Sequence, residues 1–268
     1  MSTIRASFKM LAFALICLLV APLQSLILLF HKGRGAYPIP HLWHRGVCAI
    51  FGIRAKRVGP PVTDRQVLYL SNHISYLDIP LIASVLCYTS FVAKSEVSGW
   101  PLFGYLSKLQ QTVFIQRSRT AIESQSDSLD SMLEAGKSLV LFPEGTSTDG
   151  RTVLPFKTSL FALPLQEKFK DLTLQPITLH ILTVDGQTPE PQDIRDIYAW
   201  HLAMTLPLGP HLWRFAKSRG ATIQITFHEP LRASDFTDRK ILAKTCHDAV
   251  AGGLEHSPSP LSSSQHAA

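Results

Sequence analysis

From Met10 to Phe30 the chain is almost wholly apolar, interrupted only by Pro22, Gln24 and Ser25. At about 1.5 Å per residue, a helix of this length nearly matches a hydrocarbon core of about 30 Å. No small-x-small cleavage pattern follows it, and it is long for a signal peptide. It therefore reads as permanent membrane attachment, a span ahead of a monotopic anchor. Arg5 and Lys9 flank one end and His31, Lys32 and Arg34 the other, so charge bias leaves the orientation open. Pro22 leaves room for a kink and a re-entrant segment.

Ile39 to Phe51 has Leu42, Trp43, Val47, Ile50 and Phe51 apolar with His41, His44 and Arg45 polar. That pattern predicts an amphipathic interfacial helix with a basic face near phosphate headgroups. His41-x-x-His44 is two ligands without a third, so no metal is expected. The composition, 46% hydrophobic and 17% charged, is apolar for a soluble protein, and the net charge of +6 suits anionic headgroups. Nucleic acid is not an expected partner, because no Lys/Arg stripe is interleaved with aromatics. Cys17, Cys48, Cys87 and Cys246 lack Cys-x-x-Cys spacing, which argues against a zinc site or disulfide framework and fits a reducing compartment.

Beyond the anchor, short apolar runs alternate with longer amphipathic stretches. Strands are expected at 66–71, 90–93, 112–116, 138–142, 174–181 and 222–228. Helices are expected between them, notably at 120–135, with Gly136 as its C′ residue, and at 235–250. The rhythm predicts an α/β fold: a mostly parallel sheet flanked by helices, with active loops at strand C-terminal ends, preceded by an N-terminal membrane helix and an amphipathic helix. The expected organisation is an anchor and interfacial helix over 1–55, a catalytic domain over 56–255 and a Ser/Pro-rich disordered tail over 256–268.

Two strand exits carry chemistry. Asn72-His73-Ile74-Ser75-Tyr76-Leu77-Asp78 follows the run Val67-Leu68-Tyr69-Leu70, and Phe142-Pro143-Glu144-Gly145-Thr146 follows Ser138-Leu139-Val140-Leu141. His73 and Asp78 suit a base and its orienting partner: imidazole takes a proton from an alcohol, and carboxylate fixes the tautomer. In one straight helix the two would point about 140° apart, so His73 must lie in the turn and Asp78 in the helix start. Gly145 allows close backbone approach, and the Thr146 hydroxyl is a donor to a polar headgroup. Arg117 is expected to emerge at the same sheet edge, after Thr112–Gln116. Trp100, Leu102, Phe103, Leu106 and Leu109 form an apolar stripe after Pro101, either a wall for an acyl chain or ordinary core.

These blocks resemble the glycerophospholipid acyltransferases, the group that includes bacterial 1-acylglycerol-3-phosphate acyltransferase. His73 and Asp78 match the first of four family blocks, Phe114-Ile115-Gln116-Arg117 the second, Phe142 to Thr146 the third and Leu174-Gln175-Pro176-Ile177 the fourth. The resemblance implies catalysis by His73 and Asp78. It also implies acceptor binding by Arg117, Glu144, Gly145 and Thr146, with Glu144 on the glycerol part and Arg117 on a phosphate or carboxylate. One departure stands out. The family's third block continues with an arginine, where this chain has Ser147-Thr148-Asp149-Gly150. Arg151 and Lys157 are the candidates to replace that charge. With 91–104 and Pro210-His211-Leu212-Trp213-Arg214-Phe215, the altered block resembles the branch that acylates lyso-ornithine lipid, an aminolipid without phosphate.

The expectation is therefore an O-acyltransferase of membrane lipid synthesis, with 1-acyl-sn-glycerol-3-phosphate as the alternative acceptor. Its partners would be a lysolipid, an acyl carrier protein or coenzyme A thioester, and membrane lipids. No cofactor is expected. Both carriers are cytosolic, which places the site on the cytoplasmic face of a membrane, a bacterial inner membrane by the resemblance. A Ser-His-Asp lipid hydrolase lacks its Gly-x-Ser-x-Gly elbow here, and intact His73, Asp78 and Glu144 speak against an inactive adaptor.

Overall fold

The structure, a computed structural model, describes residues 2–31, 33–115 and 129–255. Eight strands form one sheet in the order β1-β7-β6-β2-β5-β3-β4, with β8 beside β6. They are β1 (Ile53–Val58), β2 (Val67–Ser71), β3 (Thr89–Lys94), β4 (Val113–Ile115), β5 (Ser138–Leu141), β6 (Thr173–Val184), β7 (Ala221–Phe227) and β8 (Leu231–Arg232). From β6 to β4 every neighbouring pair is parallel. β7 runs antiparallel to β6, and β1 is parallel to β7. The expected mostly parallel α/β architecture is what forms.

β2 is central and buried along its whole length. Its side chains alternate between the two faces as a strand's must. Val67 and Tyr69 enter the core beneath helices α1 (Ser2–Phe30), α2 (Pro38–Phe51), α3 (Asp78–Val85) and α7 (Leu208–Lys217), while Leu68 and Leu70 enter the core beneath α8 (Arg239–Glu255). The sheet is thus covered on both faces, which explains the continuous rather than alternating apolar sequence of β2. The remaining helices are α4 (Pro101–Leu109), α6 (Gln192–Arg195) and the described part of α5, residues 129–134. Gly136 ends α5 with φ +72°, as its position predicts. Residues 120–128 of the expected 120–135 helix, Gln116, Arg117 and the expected 256–268 tail lie outside the described residues.

Pro176 lies inside β6, where a missing N–H would ordinarily break a ladder. It falls where β6 changes partner, between the β8 pairing at Thr173–Leu174 and the β7 pairing that begins at Ile177. Gln175 beside it donates to Pro60 O and His228 O and accepts from Val62 N, pinning the β1–β2 connection to the sheet. The fourth block therefore positions β2.

The sequence reading did not include β1. Arg54, Lys56 and Arg57 obscure its period, and among the described residues it pairs only with β7 at the sheet edge, where charge is tolerated. Residues 55 and 56 fall inside this strand. Gly52 connects α2 to it at φ +77°; a Cβ there would meet Arg219 O at 2.2 Å.

α1 continues through Pro22 as one helix. It docks lengthwise on the body: Arg5 donates to Lys217 O, Lys9 to Phe51 O and Ser218 O, Gln24 to Ala36 O and Leu109 O, and Ser25 bonds Tyr105. Ala6, Phe13 and Cys17 join the core below it. On the opposite face Phe8, Leu11, Leu15, Leu18, Leu19 and Leu26 are exposed. α2 forms as expected with Arg45 exposed, but His44 is not part of a basic face. His44 is 4% exposed and bonds Gln110 at 2.9 Å, and burial holds its pKa down at about 4, so it is a neutral core residue. His41 donates to Ala83 O at 2.7 Å.

Candidate active site

β2 and β5 are adjacent and parallel, so their C-terminal loops emerge side by side. The chain leaves β2 towards β3 on one side of it and leaves β5 towards β6 on the other. The two connections therefore cross over each other's strand, which brings both loops together at the carboxyl ends of β2 and β5.

The β2 loop is fixed first by Asn72. Its Nδ2 donates to Leu179 O at 3.0 Å and its Oδ1 accepts Leu179 N at 2.7 Å, a two-point clamp on β6. His73 follows in the turn and Asp78 opens α3. His73 Nδ1 lies 2.8 Å from Asp78 Oδ2, which also accepts the amides of Ile74 at 2.7 Å and Ser75 at 2.9 Å. Asp78 Oδ1 accepts the Tyr198 hydroxyl at 3.0 Å. Four donors converge on the Asp78 carboxylate, the accepting partner in each bond, so the His73 nitrogen facing it is Nδ1–H. Nε2 is then the ring's lone pair. The His73 side chain is 21% exposed and that of Asp78 is 0% exposed, which leaves the imidazole reachable and its partner dry. The Phe142 ring stacks on the imidazole, with centroids 4.1 Å apart and planes 22° apart.

The β5 loop wraps the same histidine. Glu144, 4% exposed, accepts His73 N with Oε1 at 2.8 Å and Leu154 N with Oε2 at 2.7 Å. Thr148 N donates to His73 O at 2.9 Å. Burial pushes the Glu144 pKa up to about 7, against the opposing pull of those two amides. Each oxygen thus accepts one backbone amide, so the side chain ties the two loops together. Gly145 has φ +69°, and a Cβ there would come within 2.2 Å of Lys157 Nζ. The lysine side chain crosses the bare face of the glycine, and its own amide is anchored to Pro143 O at 3.0 Å. Arg151 is drawn elsewhere, to Asp149, Glu190 O and Gln192. Of the two candidate replacement cations, Lys157 is therefore the one at the corner.

Thr146, Ser147, Thr148, Asp149 and Leu154 face His201, Leu202 and Ala203 across an open cleft of about 430 Å³. Ser147, in the position of the family arginine, donates to Trp200 O at 2.7 Å. Trp200 N in turn donates to Ile74 O at 3.0 Å. The 196–200 segment is thus a third wall of the site, carried by no sequence block. Its signal was indirect: His211, in the Pro210–Phe215 stretch, supports it from below by bonding Asp196 O, Ala199 O and Tyr76. Among the described residues no group of three or more His, Cys, Asp or Glu is arranged to hold a metal ion.

A mostly parallel α/β sheet with a histidine–aspartate pair at one strand end and a glycine corner at the next is what the resemblance to the glycerophospholipid acyltransferases implies. Comparison with known proteins agrees. The family model described as Acyltransferase matches residues 54–180. A lyso-ornithine lipid O-acyltransferase of Brucella abortus (strain 2308) is 34% identical over 94% of this chain and 95% of its own length. A 1-acyl-sn-glycerol-3-phosphate acyltransferase of Neisseria meningitidis serogroup B is 31% identical over 77% of this chain and 76% of its own. The crystal structure of the 1-acyl-sn-glycerophosphate (LPA) acyltransferase PlsC from Thermotoga maritima superposes with TM-score 0.64, covering 95% of this chain and 97% of that one at 20% identity. The chain belongs to the acyltransferase family, as an enzyme of its lysolipid-acylating group.

Proposed function

We propose that this protein transfers a fatty acyl group from an acyl thioester, on acyl carrier protein or coenzyme A, to the hydroxyl of lyso-ornithine lipid. The pairing of His73 with Asp78 carries the transfer chemistry. His73 Nε2 takes the proton of the acceptor hydroxyl as its oxygen attacks the thioester carbonyl. The tetrahedral intermediate collapses to the ester and expels the thiolate, which recovers the proton from the imidazolium. Asp78 holds the ring and offsets the imidazolium charge while it exists. No acyl-enzyme forms. The nearby serines fit this reading, since Ser71 and Ser147 donate to backbone carbonyls and Ser75 accepts the Leu77 amide rather than any of them bonding the His73 ring.

The acceptor assignment rests on Ser147. A phosphate monoester is best held by a planar guanidinium, and here that position is a hydroxyl committed to Trp200 O. Lys157 supplies a point charge suited to the single carboxylate of an ornithine headgroup, and Arg117 is a second proposed ligand. Gly145 and Thr146 form the acceptor corner. The exposed apolar face of α1 enters one leaflet, the lengthwise docking making it a monotopic anchor, with the cleft towards the cytoplasmic carriers.

The experiment offers purified protein one labelled acyl donor with lyso-ornithine lipid and lysophosphatidate in equal amounts. Predominantly labelled ornithine lipid is expected. Predominantly labelled phosphatidate would move the protein to the second reading, a 1-acyl-sn-glycerol-3-phosphate acyltransferase, for which the Neisseria relative speaks.

A further inference from the structure

We propose that Tyr198 is a positioning residue of the acyl-transfer site, acting through Asp78; the inference rests on the His73–Asp78 reading above. It lies outside all four family blocks, 120 residues from the aspartate it touches. Its side chain is 0% exposed and packs edge-on against Phe215 at 6.0 Å. Burial and the neighbouring Asp78 charge raise its pKa well above that of a free phenol, so it remains a donor at any working pH.

The donor matters because of how Asp78 is loaded. Oδ2 takes three donors, from His73, Ile74 and Ser75. Oδ1 takes the Tyr198 hydroxyl. Asp78 is fully buried, so no bulk water replaces a lost donor. With both oxygens tied, the carboxyl group cannot turn about its Cβ–Cγ bond, and Oδ2 stays aimed at Nδ1. The phenol is itself fixed: its segment is bonded to Arg195 O through the Tyr198 amide and to Ile74 O through Trp200 N. A tyrosine that only filled the core would do so as well with a phenylalanine ring. One that orients a carboxylate would not.

Tyr198→Phe is the test, in purified protein with labelled acyl donor and lysolipid. The expected result is a kcat lowered about ten- to a hundredfold, with the KM for each substrate held within about twofold. The same change is then made in Asp78→Asn protein. A residue acting through Asp78 has little left to position there, so the added loss falls to about twofold or less. An equal loss in both backgrounds would overturn the proposal and mark Tyr198 as packing. A second readout is independent of turnover: the low-field Nδ1 proton of His73 in 15N-histidine-labelled protein, identified by its disappearance in His73→Ala. Tyr198→Phe is expected to move that resonance, and an unmoved resonance would overturn the proposal. The underlying reading fails separately, if His73→Ala keeps full activity.

Discussion

Glu144 holds His73 by its backbone: the carboxylate accepts the histidine amide at 2.8 Å with one oxygen and the Leu154 amide at 2.7 Å with the other. The acid of the third block therefore ties the β5 loop to the β2 loop. Glu144→Gln places an amide donor against one of two backbone donors, since glutamine has one acceptor oxygen. The expected effect is a kcat reduced about tenfold, roughly the worth of one charged hydrogen bond, with the acceptor KM little changed. Steady-state kinetics in both substrates check it. A rise confined to the acceptor KM would return Glu144 to the headgroup.

The same residue makes stability depend on pH. Burial raises its pKa from 4.5 to about 7 in the fold. The neutral form is then favoured more by the folded than by the unfolded chain. The stabilisation this gives is fully present below about pH 4.5 and is lost as pH rises through about 7. At about 1.4 kcal/mol per unit the effect is at most a few kcal/mol. Wild-type Tm should therefore fall relative to Glu144→Gln between about pH 5 and pH 8. Melting curves of the two proteins across that range test it, and parallel Tm profiles would contradict it.

The sheet and the dyad were legible because each rested on a local pattern. The Val67–Ser71 run is apolar throughout, as a strand buried on both faces must be, and His73 and Asp78 lie close enough in sequence for one turn to join them. What was illegible came from long-range pairing. β1 reads as a charged linker until β7 is placed beside it. His44 reads as polar surface until Gln110, from the end of α4, arrives as its partner. Tyr198 has no motif because its value lies in a contact across the fold. Nor does a loop glutamate carry any sign in the sequence of the two backbone amides its oxygens accept.

On the proposed lyso-ornithine reading, Ser147 sets the acceptor preference. Ser147→Arg restores the guanidinium the family places after the threonine and loses the bond to Trp200 O. The expected outcome is a shift of the kcat/KM ratio towards lysophosphatidate by about tenfold, the worth of one charge-assisted hydrogen bond. Competition between the two lysolipids measures it. An unchanged ratio would remove this position from headgroup selection.

α1 separates anchoring from folding. Leu15 and Leu19 are 53% and 73% exposed on the face opposite Phe13. The double change Leu15→Glu, Leu19→Glu should release the protein from vesicles in a flotation assay while leaving Tm within about 2 °C, because neither side chain supports the core. Continued flotation would contradict the leaflet-inserted helix.

The proposed transfer turns on an imidazole, held by Asp78, that activates a lysolipid hydroxyl for attack on a thioester. Its most direct measurement compares wild type with His73→Ala in one vesicle assay, using labelled acyl thioester and lyso-ornithine lipid and separating diacyl product from free fatty acid. Labelled diacyl lipid is expected from the wild type, with at least about a thousandfold less from His73→Ala at equal membrane binding. Equal product from the two proteins, or free fatty acid as the main wild-type product, would contradict it.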